Sequence, residues 1–204
     1  MEQSLLAASA ILFEKEDYTA SLVSYEKLET AASNDGNKLT AFKGQLRSAY
    51  QAGDALKTIS AAAKINSILN ISEELAREAT FMSAKANYSL NNFDVALTEF
   101  RKVAKEVTSA EGAESKYRVA EILYKKERTD EAEKVIGEFV NLNTPHQYWI
   151  ARMFLLLADI SIKKGDTLQA RATLQSLKEY YTIDNDGILD EVKSKLDILT
   201  ESKQ

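Results

Sequence analysis

The chain runs to 204 residues with a net charge of -5, no cysteine, one proline and seven glycines. Lacking cysteine, it has no disulfide, thiolate metal site or cysteine nucleophile, and its mild acidity provides no basic stripe for phosphates, so nucleic acid is not an expected ligand. So few glycines and prolines, with 45% apolar and 28% charged residues, point to long helices rather than a sheet.

Residues 1–13 (MEQSLLAASAILF) have no Lys or Arg before their apolar runs and no long uninterrupted apolar core. They read neither as a signal peptide nor as a membrane span, and no membrane insertion is expected. They lead instead into the first of five short turn segments: Glu16-Asp17-Tyr18, Gly53-Asp54-Ala55, Asn91-Asn92-Phe93, Glu127-Arg128-Thr129 and Gly165-Asp166-Thr167. Successive segments start about 37, 38, 36 and 38 residues apart, a period that signals helix-pair repeats. The middle residue is mostly Asp or Asn, suited to capping the helix that follows.

After each turn one amphipathic pattern restarts at steps of four and three, which keep a single helical face. It reads Ser21, Tyr25, Leu28; then Thr58, Ala62, Ile65, the least faithful copy; then Ala96, Phe100, Val103; Ala132, Ile136, Phe139; and Ala170, Leu174, Leu177. Before the turns a small residue recurs at Ser9, Ala84, Ala120 and Ala158, and Tyr50, Tyr88, Tyr124 and Ile162 stand three residues ahead of their turns. Past the fifth pair, a loop from Thr182 to Gly187 precedes a final amphipathic helix. Its apolar stripe is Ile188, Leu189, Val192, Leu196 and Leu199, the pattern of an array's capping helix.

A small residue in the first helix, a Gly-Asp-Tyr-like turn, then Ala, an aromatic and Ala or Leu resembles the tetratricopeptide repeat. The resemblance covers most of residues 3–180, although the units are longer than usual and lack the motif's early Trp. It implies an all-α fold, a right-handed α-α superhelix of about five helix pairs plus a C-terminal capping helix. The expected organisation is a single domain over 1–204, with units at 3–33, 37–69, 72–108, 110–143 and 145–181 and a cap at 186–201. The chain opens almost directly in a first helix, implying a natural continuation before Met1 and self-association through an uncapped first repeat.

In such an array the first helix of each pair lines the concave side, where a protein or peptide partner binds. The register places Lys43, Arg47 and Tyr50 there in the second unit, Phe81, Lys85 and Tyr88 in the third, and Tyr117, Arg118, Glu121 and Tyr124 in the fourth. Aromatics alternating with cations suit a partner carrying acidic and apolar residues. The three recurring tyrosines also fit packing between units, and exposed cations also fit a solvated face. Chaperone-binding members of the family hold a C-terminal carboxylate in a Lys/Asn/Asn/Lys/Arg clamp. Lys43 and Lys85 match it, but Arg47 stands where Asn is wanted, so that ligand is not expected.

Chemistry-bearing motifs are scarce. His146 is the only histidine, read as a solvent-facing residue in the first turn of a helix, and no phosphate loop or nucleophile elbow is present. Asp184-Asn185-Asp186-Gly187 fails as a calcium loop, because Thr182 and Lys193 fall where the first and twelfth ligands are needed; helix capping and a turn explain it. Neither an enzyme nor a cofactor is expected. The stretch from Pro145-His146-Gln147-Tyr148-Trp149 to Gly165-Asp166 resembles bacterial envelope tetratricopeptide proteins, the outer-membrane assembly lipoproteins and Tol-system coordinators. That implies an interaction scaffold within a larger envelope protein. A cytoplasmic module sensing a peptide signal, or an accessory domain of a larger enzyme, is the alternative.

Overall fold

The computed structural model describes residues 1–142 and 144–201; Asn143, the expected end of the fourth unit, and the last three residues lie outside them. The described residues form eleven α-helices and no strand. They are α1 (Glu2–Glu14), α2 (Tyr18–Ala31), α3 (Asp35–Gln51), α4 (Ala55–Asn66), α5 (Glu73–Ser89), α6 (Phe93–Val103), α7 (Ala110–Lys125), α8 (Thr129–Val140), α9 (Gln147–Lys163), α10 (Thr167–Tyr180) and α11 (Ile188–Glu201). Five consecutive pairs are hairpins, each closed at one of the five turns read from the sequence.

Those turns share one geometry. Their first residues all sit in the left-handed region: Glu16 at φ 61°, Gly53 at 73°, Asn91 at 61°, Glu127 at 59° and Gly165 at 80°. At the first turn the Glu16 N–H donates to the Phe13 carbonyl and the Asp17 N–H to the Leu12 carbonyl, both at 3.0 Å. The same two bonds recur at Gly53 and Asp54, Asn91 and Asn92, Glu127 and Arg128, and Gly165 and Asp166. This paired closure is the Schellman motif, which satisfies the last carbonyls of the first helix and reverses the chain within two residues. The next residue then starts the second helix: Asp17, Asp54 and Asp166 accept from the backbone N–H three positions on, at 3.1, 3.0 and 2.9 Å. Arg128 occupies that place before α8 and makes no side-chain cap.

Behind each turn the small positions are closed to solvent. Ser9, Ala84, Ala120 and Ala158 are fully buried, as are Ser21, Ala96, Ala132 and Ala170 across from them in the hairpins. The second hairpin uses a different fit. Leu46 stands where the other first helices carry a small residue, and Ala62 where the other second helices carry Tyr25, Phe100, Ile136 or Leu174. Both are buried in one core with Ala61, Ile65, Leu75 and Ala79. Exchanging large for small across the interface keeps its volume filled, which close packing requires.

The contacts divide the chain into two compact units, Met1–Val103 and Ala104–Gln204. In the first, α3 packs against α2 and α5 against α4, and α1, α3 and α5 stand side by side. A buried hydroxyl chain ties its first two hairpins: Ser9 Oγ donates to Ser24 Oγ at 2.8 Å, while Ser21 Oγ donates to the Ser9 carbonyl and meets Ser48 Oγ, both at 3.0 Å. In the second unit α9 packs against α7 and α8, and α11 against α9 and α10. There α11 lays Ile188, Val192 and Leu199 onto Ala151, Leu155, Ala170 and Leu174, the role anticipated for the last helix. No helix among the described residues is long and apolar enough to cross a membrane.

Candidate functional site

The expected partner-binding residues fall on first helices in each unit. In the first unit, Arg47 of α3 grips Glu78 of α5 in a two-pronged pair, Nε and Nη2 donating to the two carboxylate oxygens at 2.7 and 2.9 Å. The hydrogen bond to Glu78 holds the guanidinium pKa above its ordinary value. Lys85 Nζ lies 5.2 Å from the Phe81 ring centroid and 5.8 Å from that of Tyr50, which joins α5 to α3 through cation–π contact. Phe81 meets Phe100 edge-on at 6.3 Å, and Tyr88 meets Phe93 across the turn at 5.5 Å. Lys43 lies half-buried on α3, one helical turn before Arg47. The structure therefore brings Arg47, Tyr50, Phe81 and Lys85 into one strip across two first helices. Tyr88 packs on Phe93 at the turn of its own hairpin.

In the second unit Tyr117 of α7 is buried, at 4% exposure, so it is core rather than an open groove residue. The guanidinium groups of Arg118 and Arg152 lie 5.5 and 5.4 Å from its ring centroid, and Trp149 stacks on it at 5.4 Å. Arg152 Nη2 donates to the Tyr117 hydroxyl at 3.1 Å and Nη1 to Glu191 of α11 at 2.7 Å. Burial, then the nearby Glu121 carboxylate, pushes the Tyr117 phenol up from its ordinary value. Arg118 donates to Glu121 at 2.9 Å and lies 3.5 Å from Glu114. Burial works against its charge, but these two carboxylates outweigh it and keep the guanidinium pKa raised. Tyr124 lies beneath Lys163 of α9, 5.4 Å from ring centroid to ammonium. Tyr50 and Tyr124 thus each pack under a cation from the next hairpin.

Sequence reasoning found Arg47 and Arg118 and missed Glu78 and Glu114 beside them. A signal was available. Charge pairs between neighbouring hairpins sit roughly one period apart, 31 residues for Arg47 with Glu78 and 36 for Lys195 with Asp159. The solvent-facing reading of His146 is also corrected: it is half-buried before α9, and its Nε2 donates to the Thr108 carbonyl at 2.9 Å. The acidic loop is a cap, as argued. Asp186 accepts from the Ile188 N–H at 3.1 Å and from the Tyr181 hydroxyl, next to Asn185 and Gly187 in the left-handed region. Among the described residues no group of three or more His, Asp or Glu could hold a metal ion.

Compared with known families, the model described as tetratricopeptide repeat matches residues 147–182, which are α9 and α10 with the turn between them. Residues 147–182 are a tetratricopeptide repeat. The turn of this repeat recurs with the same bonds at the other four hairpins, so the described residues contain helical hairpins that share one turn geometry. Comparison with curated proteins gives no match. Among solved structures, the chain is similar to a tetratricopeptide repeat protein from Parabacteroides merdae ATCC 43184, with 12% identity over 98% of this chain and 84% of that one, at a TM-score of 0.43. It is also similar to the TPR domain of P58(IPK), with 14% identity over all of this chain and 57% of that one, at a TM-score of 0.42.

Proposed function

We propose that the chain is a non-catalytic interaction scaffold, binding a protein or extended peptide on the face formed by its first helices. The observation that carries this reading is the strip in the first unit where Lys85 bridges Tyr50 and Phe81 while Arg47 is held by Glu78. Such a strip offers rigid aromatic area at small entropic cost. Arg47 is about half exposed, so a partner carboxylate reaches it by replacing Glu78 rather than by meeting an idle charge. The partner that fits therefore combines acidic with apolar residues. In this reading the chain works within a larger bacterial envelope protein. The resemblance of the stretch from Pro145 to Asp166 to envelope tetratricopeptide proteins supports that setting.

The test is charge reversal at Arg47→Glu and Lys85→Glu, with captured proteins from the native proteome quantified by mass spectrometry. Partner recovery is expected to fall at least about tenfold, the scale of one lost charge-assisted contact, with the helical circular dichroism signal unchanged. Undiminished recovery would remove this strip as the binding face.

A further inference from the structure

The second unit contains an open cavity whose lining is separate from the Tyr117–Arg152 cluster. It lies between α9 and α10, has a volume of about 620 Å³, and falls within the range of about 300–1,000 Å³ usual for small-molecule sites. Its wall is Ile150, Phe154 and Leu157 of α9, with the largely exposed Tyr180 at its rim. Its floor is already fixed, because Ala151 and Leu177 also belong to the core that α11 covers from the other side.

Two features of the lining define what fits. No lining residue is Asp, Glu, Lys, Arg or His, in a chain where 28% of residues are charged. A carboxylate, phosphate or ammonium taken in here would lose its water and meet no counter-charge. The wall is also not purely apolar: Gln169, Thr173 and Ser176 line it from α10, and Gln169 reaches Thr173 only by a long 3.4 Å bond. An aliphatic helix face pressed onto this wall would bury those groups without partners, whereas a hydroxyl, carbonyl or amide on a small ligand would satisfy them.

We infer that the α9–α10 pocket binds an uncharged, mostly apolar small molecule carrying one or two hydrogen-bonding groups. The test titrates the full chain with the neutral fluorophore N-phenyl-1-naphthylamine and, in parallel, with the anionic 8-anilino-1-naphthalenesulfonate. The neutral probe is expected to give a saturable, single-site rise in emission, and the anion to bind at least tenfold more weakly. Ala172→Trp and Ser176→Phe, both at exposed positions of α10, fill the space and are expected to weaken the neutral probe at least tenfold. Arg47→Glu and Lys85→Glu leave it unchanged, which separates this site from the partner-binding strip. Equal affinity for the two probes, a non-saturable rise, or indifference to both filling variants would overturn the inference. So would a polypeptide partner lost in Ala172→Trp when the neutral probe does not bind. The two-probe ratio on the unaltered chain decides even where a variant fails to fold.

Discussion

Gly44 stands in the middle of α3, where alanine would ordinarily favour the helix by about 1 kcal/mol. A Cβ there would come within 2.4 Å of three carbons of the Tyr25 ring, so the bare backbone is what lets α2 pack its aromatic onto α3. Gly44→Ala is therefore expected to lower stability, by about 1–3 kcal/mol for an overpacked contact, in urea unfolding. A nearby cluster sets a pH dependence. Glu29 accepts from Gln45 at 2.7 Å and from Lys64 at 2.6 Å, and Lys64 also lies over the Phe42 ring. Burial alone would raise the Glu29 carboxyl, but these bonds outweigh it and hold the pKa below the ordinary glutamate value. A carboxyl depressed by folding contributes stability that is full above its unfolded value and fades as pH falls through the folded one. Lys64→Met, which keeps a chain over Phe42, should remove about 1 kcal/mol at neutral pH, since the pair is partly exposed. It should also shift acid unfolding to higher pH, and unchanged acid titration by circular dichroism would exclude the cluster as its source.

At the scale of the helix hairpin, the five turns differ in how well their residues suit the shared geometry. Glycine adopts a positive φ without strain, whereas Glu16 and Glu127 hold theirs against a penalty of about 1 kcal/mol. Glu16→Gly is expected to raise stability by about that amount, or roughly 2–4 °C in thermal midpoint for a chain of this size. The same replacement logic predicts loss on Gly165→Val. These turns were legible in the sequence because each needs a left-handed residue and then a cap, and that pair of demands repeats with the period. The volume exchange between Leu46 and Ala62 was legible only as an unfaithful copy; its sense appears when both are seen in one core. Phe13, which meets Tyr18 edge-on at 5.2 Å, occupies the place of Tyr50, Tyr88 and Tyr124 and was passed over. The acids that hold Arg47 and Arg152, like the Thr108 carbonyl that holds His146, lie on other segments and depend on which of them meet, whereas Arg118 finds Glu121 within its own helix.

For the molecule as a whole, contacts divide the chain into two compact units, Met1–Val103 and Ala104–Gln204. The first holds three hairpins, and the second holds two with α11 laid over the last. Each segment expressed alone is expected to be helical and to unfold cooperatively, because repeat arrays are stabilised by neighbour contacts. Val192 of α11 is fully buried against α9 and α10, so Val192→Asp should cost more than about 3 kcal/mol in the second segment and leave the first unaffected. Photo-crosslinking separates the first helices from the second as the working face. A benzoylphenylalanine at Lys43, on first helix α3, is compared with one at exposed Thr98, on second helix α6. Partner adducts from position 43 and none from position 98 are predicted. Adducts from position 98 alone would place the partner on the second helices instead.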